Sequence, residues 1–247
     1  MKTLLRSVRF ALMGMLCIPG SMSLAQDDGF VDLFNGKDLT GFVVPEGDGG
    51  AWKVVDGVID YNADSQAKKD KNLWTEKEYK NFVLEVDWRI KSTPSKYPVP
   101  IVLPDGSDLK GPDGKSITLL RENADSGIYV RGTSKAQLNI WCWPVGSGEV
   151  YGYRKDMKQS PEVRAGVTPK FRADNPVGEW NRFTIFVIGD RLTVLLNQHQ
   201  VIENAQLPGL PESGRIAFQH HGGKNADGTF RPASSLVQFK RIRIREL

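Results

Sequence analysis

The segment Arg215-Ile216-Ala217-Phe218-Gln219-His220-His221-Gly222 reads as a strand with Ile216 and Phe218 on its apolar face. Parity then puts Gln219 and His221 on the polar face and His220 among the packed residues. An imidazole changes charge at a pH of about 6.5, so His221 is the candidate for proton transfer. The two histidines are a poor metal pair, because adjacent strand residues point to opposite faces. A second strand, Phe82 to Ile90, places Glu85, Asp87 and Arg89 on one face, spaced by about 6.6 Å. Two carboxylates and a guanidinium there suit acid–base work, or charge pairing on a solvated face. A third strand, Ala136–Trp143, turns Leu138, Ile140 and Cys142 one way and Gln137, Asn139, Trp141 and Trp143 the other. Indoles cover the apolar face of a sugar ring and amides bond its hydroxyls, so this surface suits carbohydrate. The same tryptophans could instead pack beneath a loop. In Ser126-Gly127-Ile128-Tyr129-Val130-Arg131, Tyr129 and Arg131 take the polar side.

The elements that must carry these residues are almost all strands. Alternating runs occupy Phe30–Phe34, Trp52–Val55, Gly57–Tyr61, Asn81–Lys91, Gly127–Arg131 and Ala136–Trp143. They continue through Arg182–Ile188, Leu192–Asn197, Gln200–Glu203, Gly214–His221 and Leu236–Arg245. Many short strands with Gly, Asp and Asn between them predict a sandwich or jelly roll. Gly189-Asp190 and Asn197-Gln198 read as hairpin turns. In the last strand Val237 and Phe239 are odd while Ile242 and Ile244 are even, which predicts a bulge near Lys240-Arg241. Residues 92–118 are rich in Pro and Gly and read as a surface loop over one end of the sandwich. Asp105, Asp108 and Asp113 within it do not match a calcium loop and read as turn formers. Asn123-Ala124-Asp125-Ser126-Gly127 reads as a tight lead-in to its strand.

The chain has 247 residues. Lys2, Arg6 and Arg9, the apolar run Phe10–Ile18 and Ser23-Leu24-Ala25 have the layout of a secretory signal peptide over residues 1–25. That predicts an exported protein, periplasmic or secreted, with one domain over 26–247 and no membrane span after cleavage. Its formal charge falls from +4 to +1 once those three basic residues are removed, which argues against a nucleic-acid partner. Cys142 would then be the one remaining cysteine, leaving neither a disulfide nor a Cys-based metal site. Phosphate-loop, HExxH and Gly-x-Ser-x-Gly signatures are absent from the sequence.

Several segments together are similar to the 3-keto-disaccharide hydrolase domain family. They include Leu33-Phe34-Asn35-Gly36-Lys37-Asp38-Leu39-Thr40-Gly41, Leu73-Trp74-Thr75, Phe82 to Arg89, Ser126 to Gly132, Tyr151-Gly152, Gly178-Glu179-Trp180-Asn181 and Gln219-His220-His221-Gly222. The resemblance implies a concanavalin A-like jelly-roll β-sandwich and cleavage of 3-keto glycosides by a lyase or hydratase route, with a divalent cation as an admissible helper. It puts family positions on Asp87, on Gln219, His221 and Gly222, and on Tyr151 and Gly152. Gln137, Asn139 and Cys142 stand where relatives often carry an acid, a Gln and an Asp, a set better suited to sugar than to a cation.

On this reading His221 is the base, Arg131 stabilises an enolate oxygen, and Asp87 orients His221 or acts as the acid. Glu85, Tyr129, Asn139, Trp141, Trp143, Tyr151 and Gln219 grip a small carbohydrate. Two rivals remain open: a sugar-binding module without catalysis, and an ordinary glucanase using Glu85 and Asp87.

Overall fold

The computed structural model describes residues 28–62, 65–67, 69–223, 225–229 and 236–247. The expected leader, residues 1–25, lies outside them. The strands begin with β1 (Val31–Asp32), β2 (Phe42–Val43), β3 (Trp52–Val55), β4 (Val58–Tyr61), β5 (Leu73–Tyr79) and β6 (Phe82–Ser92). Then come β7 (Lys96–Pro100), β8 (Thr118–Glu122), β9 (Asp125–Val130) and β10 (Thr133–Trp141), followed by two short helices, α1 (Tyr151–Arg154) and α2 (Pro161–Gly166). The chain closes with β11 (Asn181–Ile188), β12 (Arg191–Leu196), β13 (His199–Gln206), β14 (Gly214–Phe218) and β15 (Leu236–Glu246).

Alternation decides how these strands pack. Phe82, Leu84, Val86, Trp88 and Ile90 of β6 all face the core, as do Ile128 and Val130 of β9 and Leu138 and Ile140 of β10. Two antiparallel sheets close over that core as a concanavalin A-like jelly roll. The eight-stranded sheet runs β13-β12-β11-β6-β15-β4-β3, with β1 beside β15. The five-stranded sheet runs β10-β9-β14-β5-β2. The expected bulge in β15 is present: register shifts between Lys240 and Arg243, and Arg241 has φ 46°. Val237, Phe239, Ile242 and Ile244 are thereby all buried despite their change of parity. Asn197 and Gln198 turn β12 into β13 with φ of 51° and 68°, the left-handed pair of a tight hairpin.

Residues 92–118 depart from the expected irregular loop. They include β7, which pairs with β8 as a separate two-stranded ribbon. Each strand of a lone ribbon keeps a free edge, so Pro98 and Pro100 can sit in β7 without breaking a ladder on both sides. Asp105 and Asp113 accept from the backbone N–H two residues on, the turn chemistry expected of them. Asp108 does different work. Its Oδ1 accepts from Arg154 Nη1 at 2.9 Å, while Arg154 also bonds Gly106 O and pairs with buried Glu149. Burial pushes the Glu149 carboxyl up to about 7. This cluster pins the ribbon's extension against α1 and so fixes Tyr151 at the helix start. Among the described residues no helix is long and apolar enough to cross a membrane.

Candidate active site

The outer face of the five-stranded sheet carries a hollow of about 270 Å³. Asp125, Asn139, Trp141, Trp143, Tyr151 and His221 line it, with Gln137 and Gln219 between them. Backbone parity explains the floor: Asn139 and Trp141 of β10 pair with Gly127 and Asp125 of β9, so all four share a face. Gly127 is needed here. A Cβ at that position would stand 2.4 Å from Gln137 Nε2 and 2.7 Å from Leu138 O. Gln137 can therefore lie across the bare backbone and donate to Gln219 Oε1 at 2.6 Å. Gln219 Nε2 passes the chain on to the Tyr129 hydroxyl at 2.9 Å. Gly152 plays a similar part at the rim, since a Cβ there would meet Lys135 O at 2.4 Å. Its absence lets α1 settle on β10 with Tyr151 over the hollow.

The titratable pair in the hollow is Asp125 and His221, with Oδ2 and Nε2 4.0 Å apart. Burial pushes the Asp125 carboxyl up to about 6, and the attraction of His221 offsets this only in part. Beside them Asn139 is buried, and its Nδ2 has no hydrogen-bond partner among the described residues. A buried unpaired amide costs about 1–3 kcal/mol, and this one, shielded from water behind the wall of the hollow, would gain from an acceptor that a ligand brings on moving its cover aside. Trp141 and Trp143 stack in parallel at 3.9 Å, and Tyr151 meets both edge-on. Their N–H groups are held by the scaffold: Trp141 Nε1 donates to Gly146 O, and Trp143 Nε1 to the hydroxyl of Tyr97 on β7. The pair lines the hollow, with Trp141 buried and Trp143 braced by Tyr97 of the 92–118 ribbon, so packing beneath that segment is the expectation met.

The expected convergence of His221, Asp87 and Arg131 is corrected. Asp87 belongs to β6 of the eight-stranded sheet and faces away from the core, where Arg182 grips it through Nε at 2.6 Å and Nη2 at 3.0 Å. Packed sheets lie about 10 Å apart, so Asp87 and the hollow are on opposite outer surfaces of the sandwich. Glu85 shares that far face and accepts from Arg243 at 2.9 Å, which removes it from the sugar-gripping set. Arg131 sits at the β9–β10 turn with φ 50° and is buried. Its guanidinium donates to Gly189 O, Pro211 O and Asn81 Oδ1, stapling three turns together. Tyr129 is on the correct face but buried, supporting Gln219 from beneath. His220 packs on Tyr61, its ring nitrogen 2.8 Å from Asn62 O, and burial lowers its pKa.

Asp125 is the residue that sequence reading missed. It shares odd parity with Tyr129 and so was due on the polar face, yet it was absorbed into a turn. The described residues that line this hollow do not assemble a divalent-cation site. Among the described residues no three His, Cys, Asp or Glu side chains converge, and two of the amides bond each other or Tyr129. Such cations take three or more protein ligands of these types or an oxygen-rich shell, so no step is derived through one.

A polar hollow walled by stacked indoles on a jelly-roll sheet marks a carbohydrate-active protein. The sequence pattern of the 3-keto-alpha-glucoside-1,2-lyase-like domain family matches residues 29–245, and the chain belongs to that family. Solved structures of similar fold include three proteins of Parabacteroides distasonis provisionally named glycosyl hydrolases. One is 19% identical with TM-score 0.54, covering 89% of this chain and 84% of its own. A second is 21% identical with TM-score 0.54, covering 89% and 94%. The third is 22% identical with TM-score 0.50, covering 88% and 99%. No curated protein matches the chain.

Proposed function

We propose that this protein cleaves 3-keto glycosides by elimination and hydration, with His221 as the base. The observation that carries the reading is one hollow holding the Asp125–His221 pair beside an amide donor, Asn139 Nδ2, that has no partner among the described residues. A ketone at C3 acidifies the C2 proton, because the electrons left behind delocalise onto the C3 oxygen. His221 takes that proton, and ionised Asp125 stabilises the imidazolium that results. Asn139 Nδ2 donates to the oxygen that becomes negative. Collapse of the enolate restores the C3 carbonyl, forms the C1=C2 bond and expels the C1 oxygen, which receives the proton held by His221. Water then adds across C1=C2, its oxygen to C1 and a proton to C2. The stacked indoles and Tyr151 hold the ring. Membership of the family, the sugar-suited wall and the proton-transfer pair support this reading together.

An ordinary glucanase needs two carboxyl groups flanking the scissile bond. The lining of the hollow supplies one, Asp125, and the Glu85–Asp87 pair is on the far sheet. The test is turnover of a 3-keto glucoside against its unoxidised parent. Turnover confined to the keto sugar is the expected result. Turnover of the parent alone would overturn the reading, and binding of both with turnover of neither would make the domain a sugar-binding module.

A further inference from the structure

The outer face of the five-stranded sheet extends well past the hollow. Val43, Trp74, Ala217, Tyr129 and Gln137 are successive register partners from β2 through β5, β14 and β9 to β10. Four inter-strand steps make this row about 19 Å long. Ala217 is its small member. Trp74 and Tyr129 lean together across it, with ring centroids 5.8 Å apart. The Trp74 edge is fixed, because Nε1 donates to Asp70 Oδ2. Asp70 Oδ1 also accepts from the Asn72 backbone at 2.9 Å. Asn72 Oδ1 in turn accepts from the backbone N–H of His220 at 3.1 Å, one residue before the base. Trp74 and His221 are thus held in one frame.

Past Trp74 opens a groove of about 730 Å³, nearly three times the hollow. Val43, Val44 and Pro45 give it an apolar wall, and Glu46, Gln66 and Lys69 give it a polar rim. An apolar wall for a ring face, with polar groups for hydroxyls, suits sugar.

We infer that Trp74 and this groove form a leaving-group subsite. The sugar under attack occupies the hollow beside His221, its C1 oxygen is directed across Tyr129, and the departing sugar stacks on Trp74. The groove has room for a departing group longer than one ring, so the preferred substrates are keto glycosides of oligosaccharides. This inference rests on the hollow being the reaction centre, but its binding half can be read without chemistry.

The experiment compares kcat/KM for a methyl 3-keto-glucoside, a 3-keto-disaccharide and a longer 3-keto-oligosaccharide. Wild type is expected to favour the longer leaving groups. Trp74→Ala should lower kcat/KM for these by about tenfold more than for the methyl glycoside. Trp74→Phe, which restores a ring face, should recover most of the preference. Equal losses on all three substrates, or no loss on any, overturn the subsite. If no keto sugar is turned over, the catalytic reading fails by itself and calorimetry with unoxidised sugars decides. A disaccharide bound more tightly than its monosaccharide by wild type, but not by Trp74→Ala, supports the subsite. Equal binding of the two sugars by wild type overturns it.

Discussion

Replacing His221 with Ala is expected to lower kcat on a 3-keto glucoside by about 10²–10⁴-fold, the usual worth of a positioned general base. Asp125→Asn should fall in the same range, because an amide keeps the shape of the group and removes the charge that stabilises the imidazolium. The pH profile separates the two. The Asp125 carboxyl is pushed up to about 6 by burial, so it gains a proton as the pH falls through that value. The charge beside His221 is then lost and kcat/KM declines on the acid side. Interacting groups titrate as a pair, so this limb belongs to the dyad. In Asp125→Asn the acid limb of the residual activity should move, because one member of the dyad no longer titrates. A profile identical to wild type would assign Asp125 a purely structural place.

Asn139→Ala is expected to lower kcat by about 10²–10³-fold, as when one donor to a developing oxyanion is deleted. Thermal unfolding should move little or upward. Among the described residues the side chain donates no bond from Nδ2, so its loss relieves an unpaired buried group. The backbone of Asn139 keeps its bonds: its N–H donates to Glu149 O, and its carbonyl accepts from Gly148 N–H. A large drop in melting temperature with an unchanged kcat would make Asn139 a packing residue.

Parity along single strands was legible in the sequence, and it sorted Gln137, Asn139, Trp141, Gln219 and His221 onto one polar face. The bulge near Lys240-Arg241 and the turn at Asn197-Gln198 were legible too, because a parity change and a turn dipeptide are local signals. Sheet membership was not. Outward on β6 and outward on β9 look alike in sequence, yet they are opposite surfaces of the sandwich. That is why Asp87 and Glu85 were placed with His221 when their partners are Arg182 and Arg243. Arg131 misled for a different reason. Its backbone leaves the strand at φ 50°, so alternation no longer governs where its guanidinium goes. The β7–β8 ribbon was hidden by its prolines, which only a ribbon with free edges tolerates. Asp125 is hidden by neighbours that favour turns, and Trp74 lies on β5, where the consecutive charged residues Glu76, Lys77 and Glu78 mask the alternation.

Proton traffic at C2 is the most direct probe of the central claim. A 3-keto glucoside cleaved in deuterium oxide should give a product carrying deuterium at C2, formed faster than solvent exchange alone allows, and His221→Ala should abolish that enzymatic incorporation. Cleavage by wild type that retains the original C2 proton would show direct displacement at C1 and contradict the account.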